Sequence, residues 1–366
     1  RVRVVHVHKL TGVSGSERHL LTLLPALRES GVDAAFVGLD VVGSDAPLFY
    51  AELDELAIPY RHVRCGSDVS PRMARDLTRV LRAMRPDLVH THLVHADVYG
   101  ALAAMRLRLP YLSTRHNDDR YLLGPFRYVD RAFARRARAV VAISEAVRRF
   151  LAAAGHDPGK LVTIRYGLDR LPPAPSRPTP AEAGVPDSAP LVLAVGRLIA
   201  QKDHATLLRA FARVREGVPD AWLAVLGSGP LENDTRRLAA ELGIHDAVVL
   251  PGRTAIGDWL ARADVFAHTS AWEGFGIVLL EAMLAGLPVV ATRVSAVPEI
   301  VAPGETGALV DPGDADGVAR ELTALLRHPA RARALGEAGR GRARAEFSVE
   351  RMTRQTLDVY RQSLAQ

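Results

Sequence analysis

One pattern is written twice along this chain of 366 residues, and it leaves few folds open. Short apolar runs at residues 2–7, 34–37, 88–90, 111–113, 140–143 and 162–164 alternate with amphipathic stretches of helical period. Such alternation argues for a mostly parallel sheet with helices on both faces. A second series follows, with runs at 191–195, 222–226, 248–250, 265–267 and 289–291 and helices such as 205–214 between them. Two Rossmann-like halves are expected, residues 1–170 and 191–347. Residues 171–190, between them, hold seven prolines. Proline removes a backbone donor and breaks helices, so this segment reads as a linker belonging to neither core. Ser348 is placed to cap a last helix over 348–366. Ligands of open α/β sheets bind beyond the carboxyl ends of the strands, and those ends are where chemistry is expected.

Glu273-Gly274-Phe275-Gly276-Ile277 follows one such end and runs into an apolar helical stretch that carries Glu281 and stops at Gly286. Residues 274–276 read as the turn between strand and helix. The first amides of a helix lack intrahelical partners and, with the positive end of the helix dipole, bind phosphate oxygens. Glycines let a ligand approach the backbone. Glu281, about one turn inside, can accept hydrogen bonds from ribose hydroxyls. A second end, Gly196-Arg197-Leu198-Ile199-Ala200-Gln201-Lys202, places two cations beside a strand. Arginine offers a planar fork and lysine a point charge to diphosphate oxygens. The chain has three lysines, Lys9, Lys160 and Lys202, against 47 − 3 = 44 arginines, so a lysine in this turn is not compositional drift.

These residues carry a family resemblance. Gly196-Arg197 with Lys202, Gly227-Ser228-Gly229-Pro230-Leu231-Glu232, and Glu273 eight residues before Glu281 resemble the signature of retaining family 4 glycosyltransferases with the GT-B fold. Gly15-Ser16-Glu17, Thr114-Arg115-His116, Val141-Ala142-Ile143-Ser144-Glu145, Tyr166-Gly167-Leu168-Asp169 and Pro298-Glu299-Ile300-Val301 fall in that family's order, so the resemblance covers nearly the whole chain. Ser16 stands where the family more often has glycine, and Tyr166 where asparagine is common. The resemblance implies two Rossmann-like domains facing a central cleft, the acceptor on the first and the donor on the second, with the terminal helix crossing back to the first. It further implies retaining, hexosyltransferase-like transfer from a nucleoside diphosphate sugar, expected to be UDP-linked. The acceptor is left open between a lipid-linked or other glycan and a small molecule.

Individual roles follow from the same resemblance. Arg197, Lys202 and the amides of Gly276 and Ile277 would hold the charge that builds on the leaving diphosphate. Glu273, with Gly274 and Phe275, would contact the donor, and Glu281 its ribose. His116 would reach a donor-sugar hydroxyl or the reacting centre. Gly12 and Gly15, with Glu17 at the next helix start, would let donor and acceptor approach the backbone, and Arg253 falls in the base-contacting loop. No metal and no cofactor are expected, because the one Asp-x-Asp, Asp314-Ala315-Asp316, follows Pro312-Gly313 and reads as a helix cap. Gly227-Ser228-Gly229 is not a dinucleotide fingerprint, since Glu232 replaces the third glycine and no acidic residue ends the next strand.

Composition narrows the remainder. A single Cys65 excludes an internal disulfide framework and suits a reducing cytoplasm. No apolar run approaches the roughly 18 residues of a membrane span. The net charge of +6 favours acidic partners, but no RNA-module or helix-turn-helix motif accompanies it, so nucleic acid is not an expected partner. Arg72, Arg75, Arg79 and Arg82, with Arg127, Arg131, Arg135 and Arg138, stripe two acceptor-domain helices that could rest peripherally on anionic lipid at the inner face of a membrane. Two other classes stay open: an epimerase of the same fold, needing only nucleotide sugar and water, and a non-catalytic nucleotide-sugar-binding protein.

Overall fold

The structure is a computed structural model and describes residues 1–10, 15–41, 43–44, 46–65, 70–118, 124–171 and 176–365. It divides into two compact units, Arg1–Gly167 with Ser348–Gln366, and Leu168–Phe347.

The first unit alternates β1 (Arg3–Leu10), α1 (Gly15–Glu29), β2 (Asp33–Val41), α2 (Ala46–Glu55), β3 (Tyr60–Cys65), α3 (Pro71–Met84), β4 (Leu88–His92), α4 (Leu93–Leu107), β5 (Tyr111–Arg115), α5 (Phe126–Arg136), β6 (Val140–Ala142), α6 (Glu145–Ala153) and β7 (Leu161–Thr163). Its seven strands are all parallel in the order β3-β2-β1-β4-β5-β6-β7. The apolar runs become strands because both faces of the sheet are covered, and β1, β4 and β5 are buried almost throughout. β3 was not expected. Its Tyr-Arg-His-Val-Arg-Cys is mostly polar because it is an edge strand, with Val63 and Cys65 alone well buried.

The second unit runs β8 (Leu191–Val195), α7 (His204–Gly217), β9 (Trp222–Leu226), α8 (Glu232–Glu241), β10 (Val248–Gly252), α9 (Gly257–Arg262), β11 (Val265–His268), α10 (Ile277–Ala285), β12 (Val289–Thr292), α11 (Val297–Ile300), β13 (Gly307–Val310), α12 (Ala315–Arg327) and α13 (Pro329–Glu346). Its parallel order is β10-β9-β8-β11-β12-β13. β13, a four-residue edge strand, was also unforeseen. α14 (Val349–Ala365) then belongs to the first unit, where Met352, Val359 and Tyr360 join the core with Leu20, Leu24 and Phe36.

The proline-rich segment differs from the linker expected of it. Residues 176–190 are bound to the second unit: the Ser176 amide donates to Asp258 at 2.6 Å, the Trp259 indole donates to the Pro178 carbonyl at 3.1 Å, and Ser176, Val185 and Ala189 are buried. Prolines lack an N–H but keep a carbonyl, and here those carbonyls accept from Trp259 and Arg262.

Candidate functional site

In each sheet the strand order reverses once, at β1/β4 and at β8/β11, and a crevice opens beyond the strand ends at such a point. Both crevices hold the residues that the sequence singles out.

In the second unit, β8 ends at Val195, and residues 196–203 turn through a short 3-10 helix, Ala200–Lys202, before α7. Asp203 takes a left-handed conformation and its carboxylate caps α7 through the Thr206 amide. This turn is stitched to the segment after β11: the Ala271 amide donates to the Gln201 carbonyl at 2.8 Å, and Thr269 Oγ1 donates to the Lys202 carbonyl at 3.2 Å. The stitching brings Lys202 Nζ onto Glu273 Oε2 as a hydrogen-bonded ion pair. His268 and Ser270, which the sequence reading passed over, complete the cluster, each placing a side-chain atom 3.1–3.3 Å from the same carboxylate oxygen. Burial alone would raise the Glu273 carboxyl, but Lys202 and then His268 outweigh it and hold it down to about 2.

α10 begins as expected. Gly276 sits at φ 88°, a backbone that favours glycine, and Gly286 ends the helix at φ 79°. Gly276, at the N-cap, has no side chain with which to cap the helix. Glu281 is buried on the second turn, while Phe275 is buried with its ring edge-on to Phe347. Arg197 and Arg253 are exposed. Gly227 and Gly229 serve the approach of two backbones: a Cβ at Gly227 would lie 2.0 Å from the Gly196 carbonyl oxygen, and one at Gly229 2.4 Å from that of Leu198. Asp314 caps α12 through the Gly317 amide at 2.8 Å, and Asp316 pairs with Arg213, so both carboxylates have structural partners.

In the first unit, Gly12 lies outside the described residues, and Gly15 opens α1. Glu17, in the first turn of α1, is buried with Oε1 3.8 Å from His8 Nε2. His116 follows β5 and is almost wholly buried. Its Nδ1 lies 2.5 Å from the Tyr166 hydroxyl and its Nε2 3.0 Å from His92 Nδ1. It is part of a group that single-residue reading misses: His6, His8, His90 and His92 occupy alternate positions of neighbouring strands, paired His6 with His90 and His8 with His92. His19 stacks on Tyr166 with centroids 4.3 Å apart. Burial pushes His6 and His19 down to about 3, and it pushes His90, His92 and His116 well below the ordinary imidazole range. All of these rings are neutral near pH 7.

On α3, Arg72, Arg75 and Arg79 gather around Asp76 at 3.6, 3.8 and 3.3 Å, whereas on α5 Arg127 lies over the exposed ring of Tyr128. No described helix is long and apolar enough to cross a membrane.

Two parallel Rossmann-like sheets, one with a basic turn and a glycine-opened helix at its switch point, define the class of GT-B glycosyltransferases. Residues 177–342 match the profile described as glycosyl transferases group 1, and residues 13–170 match that of glycosyltransferase family 4. The chain belongs to family 4 of the glycosyltransferases. It is 32% identical over 341 residues to alpha-maltose-1-phosphate synthase of Mycolicibacterium smegmatis, covering 84% of this chain and 87% of the relative. It is 34% identical over 311 residues to D-inositol 3-phosphate glycosyltransferase 2 of Catenulispora acidiphila, covering 76% and 71%. Among solved structures, Anabaena HepE in complex with UDP and glucose superposes with a TM-score of 0.85 at 23% identity over 99% of this chain and 100% of that one. Sucrose-phosphate synthase of Thermosynechococcus elongatus gives 0.80 at 24% identity over the whole of both chains.

Proposed function

We propose that this glycosyltransferase moves a sugar from a nucleoside diphosphate sugar, UDP-linked, to an acceptor held by the first unit, with retention at the anomeric carbon and without a metal ion. The observation that carries the reading is the second-unit crevice, where Lys202, the Arg197 turn and the glycine-opened start of α10 stand at one switch point. Negative charge builds on the diphosphate as the glycosidic bond breaks, and pre-organised cations and helix amides stabilise it. Glu273 would face the positive character that develops at the donor sugar, and Glu281 would hold the ribose. Arg253 would contact the base, while His116 and the loop of Gly12 and Gly15 would line the sugar side.

The partners of Asp314 and Asp316 support the metal-independent reading, because neither carboxylate is placed as a ligand. UDP is supported by the UDP complexes of the Anabaena protein, and alpha-maltose-1-phosphate synthase and D-inositol 3-phosphate glycosyltransferase 2 put phosphorylated sugars and polyols first among acceptors to try. A stability screen against UDP-, GDP- and ADP-sugars, followed by product analysis with and without acceptor in excess chelator, tests all of this. Transfer with retained configuration is expected. Activity abolished by chelator and restored by Mg²⁺ or Mn²⁺ would overturn the metal-free part, and a product formed without acceptor would favour the epimerase. Peripheral contact with anionic lipid through α3 and α5 belongs to the same reading, and salt-sensitive flotation with anionic vesicles is its check.

A further inference from the structure

Seven buried side chains of the first unit form one unbroken hydrogen-bonded chain. The Tyr166 hydroxyl is 2.5 Å from His116 Nδ1, His116 Nε2 is 3.0 Å from His92 Nδ1, and His92 Nε2 is 2.9 Å from His6 Nδ1. His6 Nε2 is 3.1 Å from the Tyr360 hydroxyl, which is 2.7 Å from His90 Nδ1, and His90 Nε2 is 2.7 Å from Thr114 Oγ1. A neutral imidazole has one N–H and one lone pair. Each histidine therefore passes on the direction it receives, fixing one bond fixes the tautomers of His6, His92 and His116 together, and His90 follows when the Tyr360 hydroxyl donates to it.

The difference between the two contacts of the Tyr360 oxygen gives the direction. Hydroxyl donors make bonds of about 2.7–2.8 Å, and N–H donors to oxygen about 2.9–3.0 Å. At Tyr360 the short contact is to His90 and the long one to His6, so this phenol donates to His90 and accepts from His6. Carried through His6, His92 and His116, that direction makes Tyr166 the donor to His116. Both oxygen contacts of His90 are 2.7 Å, so the direction at the foot follows from Tyr360 and makes Thr114 the acceptor. At 2% exposure Thr114 gives a proton no exit to water, so the chain orders protons and does not conduct them.

We infer that Tyr360, His6 and His92 are positioning residues that set His116 as the Nε2–H tautomer, with its Nδ1 lone pair turned to Tyr166. A group that displaces Tyr166 from that lone pair must then be a donor. A sugar hydroxyl fits, and a phosphate or carbonyl oxygen does not. The tautomer stands by itself, while its bearing on substrate choice rests on the transfer reading above. A metal ion is a poorer account of the same residues. Nitrogens of His6, His90 and His92 lie within 4.8 Å of one another, but His90 and His92 stack at 4.3 Å and 28°, which sets their lone pairs side by side, and all six nitrogens already have partners.

Long-range ¹H–¹⁵N correlation spectra of protein labelled at histidine read each tautomer directly, with no assay. In the unmodified protein at neutral pH, His6, His90, His92 and His116 should all carry the proton on Nε2, and one Nδ1–H form or imidazolium among them overturns the chain. Tyr360→Phe leaves His6 Nε2–H without an acceptor, which costs more than leaving a lone pair unfilled. His6, His92 and His116 should therefore switch together to Nδ1–H, and the kcat of transfer should fall on the order of tenfold with the donor KM unchanged. A spectrum in which none of the three switches, or one switches alone, overturns the coupling. Absence of transfer in the unmodified protein would instead sink the function, leaving the tautomers to stand on their own spectrum.

Discussion

Lys202 and Glu273, 71 residues apart in sequence, share a hydrogen-bonded ion pair at the carboxyl ends of β8 and β11. The pairing presents a cation already aimed into the crevice and a carboxylate already ionised. Lys202→Ala and Arg197→Ala should each lower transfer by roughly 10²- to 10³-fold, the usual effect of removing one donor from a pre-organised anion site. Initial rates at saturating donor are the measurement, and rates within threefold of the unmodified protein would remove the residue from the mechanism.

Glu281→Ala should weaken UDP and UDP-sugar to the same extent, because a ribose contact is common to both. Calorimetric titration of the two ligands checks this; a loss confined to the nucleotide sugar would move Glu281 from the ribose to the sugar.

His116→Ala should bind donor almost normally and transfer about 10²- to 10⁴-fold more slowly. It also strips partners from His92 and Tyr166, so melting should be lowered as well, by the roughly 1–3 kcal/mol of a buried polar group left unpaired. Unchanged turnover would exclude a catalytic role for His116.

Gly227→Ala should disturb the donor turn without touching a charged residue. Its φ of 139° and the 2.0 Å approach of a Cβ to the Gly196 carbonyl force the backbone beside Arg197 to move. Weaker UDP binding together with a lower melting temperature is the expected pair of results, and unaltered UDP affinity would show that this backbone contact does not position Arg197.

Acid should destabilise the first unit early. Unfolded histidines take up protons near pH 6.5, whereas burial pushes His6 and His19 down to about 3 in the folded chain. Between those values the unfolded state binds more protons, so stability falls as pH falls, by about 1.4 kcal/mol per pH unit for each such group. The second unit has its own loss at lower pH: Glu273, held at about 2 against its ordinary 4.5, costs that unit stability as pH falls below 4.5. Melting curves at pH 7, 6 and 5 should descend steeply; equal midpoints would mean that the rings are already protonated or are reached by water.

The fold was legible because buried parallel strands announce themselves as apolar runs, and Ile277–Ala285 with its Gly286 stop was read to the residue. β3 escaped because most of its residues are polar, and β13 because it is four residues long and opens on Gly307. The proline segment was misread because composition reports backbone donors and not the carbonyls that Trp259 and Arg262 use. At the site, charged residues in glycine-rich turns were visible one at a time. The histidine chain was not, because its members reside on β1, β4, β5 and α14, and only strand register joins them. The repeated His-x-His of β1 and β4 was the available signal.

The place of α14 sets an order of assembly. Residues 168–347 are contiguous and complete before the last helix is synthesised, whereas the unit begun at residue 1 must wait for Met352, Val359 and Tyr360 to close its core. The half made first is thus finished last, and until then it exposes the apolar faces of α1 and the sheet, the kind of surface on which nascent chains stall, bind chaperones or associate.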